Sequence, residues 1–155
     1  MRIETVRYEV PGWGVGELAL ADGRVAHHEL PRRQRGQVTE CYLELVDRIR
    51  AYFAGGRDDF ADVELLEPGW TPFQRELAAA LRRVPAGEVV TYGELAALAG
   101  RPRAPRAAGS FCAGNLFGLF VPCHRVVAAT GIGSYGSLGV EYKRRLLELE
   151  GVSLR

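Results

Sequence analysis

The sequence predicts a mixed α/β protein, an α+β arrangement with a small strand-rich N-terminal domain and a mainly helical C-terminal domain. Up to residue 30, polar and apolar side chains alternate, which is typical of half-buried strands. From residue 71 onward, apolar residues recur at helical spacing between capping residues and glycines. A chain of 155 residues that is 47% hydrophobic and 25% charged is ordinary for a globular protein of one or two domains.

The N-terminal part is predicted to hold three strands and one helix. The strands are expected at residues 3–10, 14–21 and 25–30. Asp22-Gly23, between the second and third strands, is a strong signal for a two-residue hairpin. Residues 39–54 have apolar side chains at helical spacing, so we expect a helix with Thr39 as its N-cap and Gly55 at its end.

A linker is predicted over residues 57–70, where acidic residues, Pro68 and Gly69 interrupt the apolar spacing. We therefore expect domains at residues 1–68 and 69–155.

The C-terminal part is predicted to be helical. The expected helices cover residues 72–83, 92–99 and 105–114. Thr71 is the predicted N-cap of the first helix, and Pro72 suits its first position. Thr91 and Glu94 form the pattern of a capping box before the second helix. Two short helices joined by a tight turn containing Gly100 indicate a helix-turn-helix.

The third of these helices consists mainly of alanine and glycine, with Arg106 near its start. Such a helix suits close packing against another helix or close approach to a DNA groove, and its composition does not distinguish the two. The net charge of +1 gives no whole-chain indication of nucleic-acid binding. Residues 101–106 carry three arginines and no acid, whereas the basic run at 31–35 is interpreted as a solvated loop.

No apolar run approaches the ~20 residues of a membrane span, and the N-terminal residues lack the pattern of a secretory signal. We therefore expect a cytoplasmic protein with no membrane partner.

The cysteines are Cys41, Cys112 and Cys123, too few and too scattered for a disulfide framework. No CxxC pair is present, and a mixed site of Cys41 with His27 and His28 would fit no recurring ligand spacing, so we expect no metal. Cys41 and Cys112 are interpreted as structural.

Cys123 has the most distinctive surroundings. Pro122 precedes it, His124 and Arg125 follow it, and apolar runs flank this group. The proline predicts a sharp backbone change at the cysteine. A neighbouring histidine or arginine would favour the nucleophilic thiolate, and a histidine also accepts its proton. A buried structural cysteine remains an equal alternative on these residues alone.

The segment Pro122–Cys123–His124–Arg125–Val126–Val127 resembles the active-site signature of the O6-alkylguanine-DNA alkyltransferases, also called methylated-DNA–protein-cysteine methyltransferases. The similarity extends over residues 71–151. Further matching segments are Thr71-Pro72-Phe73-Gln74, residues 87–92, Arg106-Ala107, Asn115 and residues 148–151. The N-terminal half resembles the family only in its plan, a small ribonuclease-H-like domain.

The resemblance implies that Cys123 attacks the alkyl carbon on guanine O6 and keeps the alkyl group as a thioether, so that each molecule acts once. His124 would accept the thiol proton through a water, and Glu150 would hold and polarise His124. Tyr92 would donate to a ring nitrogen of the flipped guanine. Asn115 would hold the turn that carries Cys123.

The resemblance also implies residues that contact the base and the DNA. Tyr135 and Ser137 would lie in a loop over the base, formed by residues 134–139. Arg106 would fill the gap left by the extruded nucleotide. The expected minor-groove contacts are Ala107, Gly109, Ser110 and Arg125. Lys143 matches a family lysine near the active site, with a surface helix charge as the alternative.

The implied partner is double-stranded DNA containing O6-alkylguanine, with no cofactor and no metal. We expect a nucleoid-associated monomer of a prokaryotic type, and cooperative binding on DNA stays open. The sequence departs from the family where Leu116 follows Asn115, since the family usually has proline there, and where Pro105 precedes Arg106. The loop at residues 134–139 also differs in detail.

Three other functions are alternatives to alkyl transfer. A non-catalytic lesion-binding relative that recruits excision repair would lack the cysteine. An unrelated thiol hydrolase would leave the helix-turn-helix unexplained. A regulator that reads the major groove would carry longer polar side chains than the helix after Arg106 offers.

Overall fold

The computed structural model describes residues 2–34, 36–39 and 43–154. The chain forms two compact units. The first comprises Met1–Pro68 together with Leu116–Gly118, and the second comprises Gly69–Asn115 and Leu119–Arg155. The mixed α/β class predicted from the sequence is confirmed. Among the described residues, no helix combines the length and apolar character that crossing a membrane requires.

The first unit is built on a three-stranded antiparallel sheet in the order β1–β2–β3. Its strands are β1 (Ile3–Val10), β2 (Gly14–Ala21) and β3 (Arg24–Arg32), so β3 is longer than the predicted 25–30. Asp22 and Gly23 both have positive φ, at 50° and 82°, as the turn of a tight hairpin requires. The two-residue hairpin expected from Asp22-Gly23 is therefore present.

Helix α1 (Glu44–Phe53) buries Val46, Ile49 and Tyr52 in the first unit. The predicted start at Thr39 is wrong, because Thr39 is bonded to β1 instead. The Thr39 N–H donates to the Arg7 carbonyl at 2.7 Å, and the Arg7 N–H donates to the Thr39 hydroxyl at 3.2 Å. The remaining predicted helical positions 40–42 lie outside the described residues.

The segment predicted as a linker packs partly on the first unit. Arg48 on α1 binds Asp58 at 2.7 Å and Asp62 at 2.8 Å, and Phe60 between them is buried. The Leu66 N–H donates to the Val25 carbonyl at 2.8 Å. The first folded unit therefore extends beyond residue 56, although the helical spacing of apolar residues in the sequence ends there.

A buried histidine joins residues 116–118 to the sheet of the first unit. The His28 N–H donates to the Leu116 carbonyl at 2.8 Å, and His28 Nδ1 donates to the Gly118 carbonyl at 2.6 Å. His28 Nε2 accepts the hydroxyl of Tyr8. Burial lowers the pKa of His28 to about 4, so the ring is neutral at pH 7. Both ring nitrogens are occupied, and the Cys41 of the considered metal site lies outside the described residues.

The described part of the second unit contains four α-helices and two short parallel strands. Its helices are α2 (Pro72–Arg82), α3 (Tyr92–Leu98), α4 (Pro105–Ala113) and α5 (Val140–Leu149). Its strands are β4 (Val90–Thr91) and β5 (Val126–Val127), which are not among the predicted elements. The buried side chains of Leu77, Leu81, Leu95, Phe120 and Leu146 form its core.

Both threonine caps of the second unit are present as predicted. The Gln74 N–H donates to the Thr71 hydroxyl at 3.2 Å, and the Glu94 N–H donates to the Thr91 hydroxyl at 3.1 Å. Glu94 Oε1 accepts the Thr91 N–H at 2.9 Å, which completes the capping box. This box fixes where α3 begins, and therefore where Tyr92 lies.

Candidate active site

Cys123 begins a short 3₁₀ turn (Cys123–Arg125) directly before β5. Pro122 has φ −80° and ψ 68°, and the Cys123 N–H donates to the Val121 carbonyl at 2.8 Å. These values define an inverse γ-turn, whose φ the proline ring favours. The sharp backbone change expected at Pro122 is therefore an inverse γ-turn, and it buries Cys123 to 5% exposure.

Asn115 holds this turn. Its Nδ2 donates to the Val121 carbonyl at 2.8 Å, the carbonyl that also accepts the Cys123 N–H. Its side chain also hydrogen-bonds to the Cys123 thiol. Leu116, which stands where the family usually has proline, leaves this contact in place.

The Cys123 thiol is neutral at rest. Burial raises the pKa of Cys123 well above its usual value, and a hydrogen bond with Cys112 adds to the rise. Asn115 and the Lys143 charge oppose the rise without outweighing it. The cation that favours the thiolate is Lys143 rather than the expected His124 or Arg125, and desolvation of the charged form outweighs its effect. The thiol needs a base at the moment of reaction.

His124 is the middle residue of the same 3₁₀ turn. It is completely buried, and its Nε2 lies 2.8 Å from Glu150 Oε2. Burial lowers the pKa of His124 in spite of the opposing Glu150 charge, so the ring is neutral at pH 7. Because the carboxylate accepts, Nε2 carries the ring proton and Nδ1 carries a free electron pair. Nδ1 is buried and has no hydrogen-bond partner among the described residues.

Glu150 is held as a carboxylate by two neighbours. Burial alone would raise the pKa of Glu150, but hydrogen bonds from His124 and Arg125 outweigh burial and hold the pKa far below its usual range. Arg125 donates through Nε to Oε1 and through Nη2 to Oε2, both at 2.9 Å. This bidentate geometry fixes the carboxylate plane and leaves Oε2 facing His124.

Arg125 was expected to contact DNA, and the structure corrects this. Its side chain is 6% exposed, and its Nη1 donates to the Val84 carbonyl at 2.7 Å. All of these donors point inward because Glu150 provides the counter-charge that a buried guanidinium needs. Arg125 is a positioning residue for Glu150.

Lys143 on α5 is also buried, which rules out the alternative of a surface charge. Its Nζ donates to the Val126 carbonyl at 2.6 Å and to the Ser134 carbonyl at 3.1 Å. Burial lowers the pKa of Lys143 to about 8, although the nearby thiols of Cys112 and Cys123 oppose the shift. Lys143 thus joins the strand after the cysteine turn to the start of the loop at 134–139.

Two tyrosines lie close to the thiols. Tyr92 is half-buried at the start of α3, and burial followed by the charges of Cys112 and Cys123 raises its pKa. Burial likewise raises the pKa of Tyr135 well above its usual value, and its ring stacks on Tyr142 at 6.3 Å. Both phenols keep their protons at neutral pH and can donate hydrogen bonds.

The remaining predicted residues are distributed over the surface of the second unit. Ser137 is exposed in the 3₁₀ turn Gly136–Leu138. Arg106, Ala107 and Ser110 are exposed on α4, and Gly109 is half-buried. The opposite face of α4 buries Ala108 and Phe111. The exposed face is therefore made of small side chains with one cation near its start.

Sequence reasoning missed two features of the site. Arg125 pairs with Glu150, and no local pattern indicates a partner 25 residues away. Cys112 was interpreted as structural, yet its thiol is a hydrogen-bond partner of the Cys123 thiol. Its position three residues before Asn115, which also contacts Cys123, was the one available signal.

These features define a protein with a buried cysteine thiol that is followed directly in the chain by a histidine hydrogen-bonded to a buried glutamate. A family model described as "6-O-methylguanine DNA methyltransferase, DNA binding domain" matches residues 72–152. The chain belongs to the 6-O-methylguanine DNA methyltransferase family.

Relatives and solved structures agree with this membership. A methylated-DNA–protein-cysteine methyltransferase of Salmonella typhimurium is 45% identical over 112 residues, which is 71% of this chain and 64% of that protein. Its Mycobacterium tuberculosis counterpart is 47% identical over 106 residues, 68% of this chain and 62% of that protein. These matches span less than two thirds of the length of either relative.

The crystal structure of the O6-methylguanine methyltransferase of M. tuberculosis superimposes with a TM-score of 0.79 at 34% identity, covering 96% of this chain and 93% of that chain. The structure of that protein in complex with DNA gives a TM-score of 0.79 at 35% identity, covering 95% and 92%.

Proposed function

We propose that this protein repairs alkylated DNA by transferring the alkyl group from O6 of guanine to Cys123 Sγ, once per molecule. The observation that carries the proposal is the free electron pair on the buried Nδ1 of His124, the residue that follows the neutral Cys123 thiol and is hydrogen-bonded to an ionised Glu150. The names of the relatives and the DNA complex of the M. tuberculosis protein support the same function.

The first step is removal of the thiol proton. The Cys123 proton passes through a water to His124 Nδ1, and the ring becomes an imidazolium. Glu150 stabilises that positive charge across its bond to Nε2. Lys143 carries a positive charge close to Cys123, which favours the thiolate as it forms.

The second step is displacement at the alkyl carbon. The thiolate attacks the carbon in line with O6, a carbon–sulfur bond forms, and the carbon–O6 bond breaks with its electron pair leaving on guanine. The Tyr92 hydroxyl donates a hydrogen bond to a ring nitrogen, which stabilises the negative charge that develops on the leaving guanine. The proton taken from Cys123 passes from His124 through water to the released guanine, which balances the reaction. The thioether does not reverse, and each molecule is consumed by one transfer.

Asn115, Tyr135 and Ser137 position the partners of this reaction. Asn115 holds the Val121 carbonyl, so the cysteine turn keeps its shape. Tyr135 and backbone amides near Ser137 contact the flipped base from the loop at 134–139.

The exposed face of α4 is the proposed minor-groove surface, with Ala107, Gly109 and Ser110 against the groove. A Cβ added at Gly109 would meet only Tyr92 Cδ1, at 3.9 Å, which is an ordinary contact. Packing within the protein therefore does not require glycine at this position. Close approach of DNA does, because each added methyl holds the backbone farther from the groove. Arg106 fills the gap left by the extruded nucleotide.

A titration against excess lesion tests this function. Protein is added to a duplex containing O6-methylguanine, and the restored guanine is counted after the reaction has stopped. We expect a plateau at one guanine per protein molecule, and none for Cys123→Ala. If the amount of restored guanine keeps rising with time beyond one per protein molecule, the single-use mechanism is wrong. Tight lesion binding without restored guanine supports the non-catalytic lesion-binding alternative instead.

A further inference from the structure

Cys112 and Cys123 stand together in the second unit. Their thiols are hydrogen-bond partners, and Tyr92, Tyr135 and Lys143 each interact with both sulfurs. Cys112 lies in the last turn of α4, and Cys123 begins the 3₁₀ turn before β5. The proposed transfer uses Cys123 and leaves Cys112 without a role.

Asn115 ties the two cysteine-bearing segments to each other. Its N–H donates to the Cys112 carbonyl at 3.2 Å, and its Nδ2 donates to the Val121 carbonyl at 2.8 Å, two residues before Cys123. Asn115 thus hydrogen-bonds both to the backbone of the segment that carries Cys112 and to the backbone of the segment that carries Cys123. The sulfurs are held near each other by the fold.

The two thiols differ in access. Cys112 is half-buried, whereas Cys123 is 5% exposed. A small oxidant in solution therefore reaches Cys112 more readily than Cys123. The buried thiol of Cys123 is the hydrogen-bond partner of the Cys112 thiol.

We propose that Cys112 and Cys123 form a redox pair, in which a peroxide converts the two thiols to an intramolecular disulfide that blocks alkyl acceptance until it is reduced. The peroxide oxygen first adds to the Cys112 sulfur, giving a sulfenic acid and one water from hydrogen peroxide. Cys123 Sγ then attacks that sulfur, the sulfur–oxygen bond breaks, and the hydroxide leaves with the Cys123 proton as a second water. Both sulfurs are oxidised, and the peroxide is reduced.

The consequence is protection of a nucleophile that the protein can use only once. A sulfenic acid that meets no second thiol is oxidised by a further peroxide to sulfinic acid, which thiol reductants do not reverse, whereas a disulfide is restored by a dithiol. Cys112 would turn an irreversible loss of Cys123 into a reversible one. The loss of repair rests on the proposed function, but the formation of the bond does not.

The sequence allows the bond to be seen directly. Cleavage after arginine releases residues 107–125 as one peptide that contains both cysteines, whereas Cys41 falls in the peptide 36–48. The full-length protein is treated with hydrogen peroxide, its remaining thiols are blocked with an alkylating reagent, and the peptides from cleavage after arginine are analysed by mass spectrometry. We expect peptide 107–125 to lose two hydrogens and to carry no blocking group, while peptide 36–48 stays blocked.

Alkyl acceptance is measured on a second portion of each peroxide-treated protein, before and after treatment with dithiothreitol. Each protein is compared with its own reduced form. In the wild type, the fraction of activity lost should equal the fraction of peptide 107–125 in the disulfide form, and dithiothreitol should restore it. In Cys112→Ala and Cys112→Ser no disulfide can form, so alkyl acceptance should either withstand the peroxide that inactivates the wild type or be lost in a way that dithiothreitol does not restore. Cys41→Ser is the matched control and should behave as the wild type.

Two results would overturn the redox pair. One is a peptide 107–125 that keeps both thiols, or gains oxygen without losing two hydrogens, while alkyl acceptance falls. The other is a Cys112→Ala protein that loses and recovers activity as the wild type does. Because the peptide mass needs neither DNA nor repair, a disulfide found in a protein without transferase activity refutes the proposed function and leaves the pair standing.

Discussion

His124 Nε2 and Glu150 Oε2 lie 2.8 Å apart, with both side chains completely buried. The bond assigns the ring proton to Nε2 and leaves Nδ1 as a base, while Arg125 keeps the carboxylate ionised from its other side. The arrangement resembles other activated-nucleophile relays, in which a third group orients and charges the base. Substitutions of Glu150 and of Arg125 therefore have different expected outcomes.

Glu150→Gln keeps the size of the side chain and removes its charge. The imidazolium then forms without a carboxylate, so the rate of alkyl transfer should fall by about 10²-fold or more. The buried Arg125 also loses its counter-charge, so the free energy of unfolding should fall by about 3–5 kcal/mol. Single-turnover kinetics and denaturant unfolding measure the two effects. A folded variant that transfers at the wild-type rate would show that Glu150 does not support His124.

Arg125→Ala and Arg106→Ala form a matched pair of arginine removals. The first should destabilise the protein by about 3–5 kcal/mol with little change in DNA affinity, because Arg125 is buried against Glu150. The second should change stability by less than about 0.5 kcal/mol, because Arg106 is exposed. It should also weaken binding to duplex DNA, because the exposed cation no longer attracts the phosphate backbone. Equal losses of DNA affinity in the two variants would restore Arg125 as a DNA contact.

Arg106→Ala should also separate repair of duplex DNA from reaction with a free base. The Arg106 side chain fills the gap that the flipped nucleotide leaves in the duplex, and a free base leaves no such gap. Transfer from an O6-methylguanine duplex should therefore slow far more than reaction with O6-benzylguanine as a free base. Equal losses on the two substrates would refute its place in the gap.

Gly109→Ala tests why α4 is made of small residues. The added Cβ meets only Tyr92 Cδ1 at 3.9 Å, and alanine favours a helix over glycine by about 1 kcal/mol. The free energy of unfolding should therefore stay equal or rise, while affinity for duplex DNA falls. Reaction with the free base, which needs no groove, serves as the internal control. A loss of stability with unchanged DNA affinity would favour helix packing as the reason for glycine.

Acid should destabilise the first unit through His28. Burial lowers its pKa in the folded state from 6.5 to about 4, so the unfolded chain binds this proton more readily between those two values. The stabilising contribution is complete above pH 6.5 and decreases as the pH falls toward 4, by up to about 3 kcal/mol. His28→Gln, which can still bond to Gly118, should lack this part of the pH dependence. Unfolding curves of both proteins from pH 4 to 8 measure it, and parallel curves would contradict it.

The sequence predicts elements well where the signal is local. The strands Ile3–Val10 and Gly14–Ala21 and the Thr91 cap depend on alternation, turn chemistry and neighbours three residues away. The predicted start of α1 at Thr39 was wrong because the Thr39 hydroxyl accepts a hydrogen bond from Arg7, 32 positions earlier in the chain. Long-range pairing of this kind leaves no local pattern.

The site shows the same limit. The positions of Cys123, His124 and Glu150 were expected, but the protonation state of the thiol was not, because desolvation follows from burial that only the fold sets. The family resemblance implied that Arg125 contacts DNA, whereas its pairing with Glu150 makes its burial possible. The closeness of Cys112 to Cys123 likewise arises from the return of the chain after α4.

The measurement that tests the account most directly is the mass of peptide 107–125 after reaction with a duplex containing O6-methylguanine. We expect this peptide to gain one methyl group, located by fragmentation on Cys123 and not on Cys112, in an amount equal to the guanine restored. Guanine restored with an unmodified Cys123, or a methyl group on another residue, would contradict transfer to Cys123.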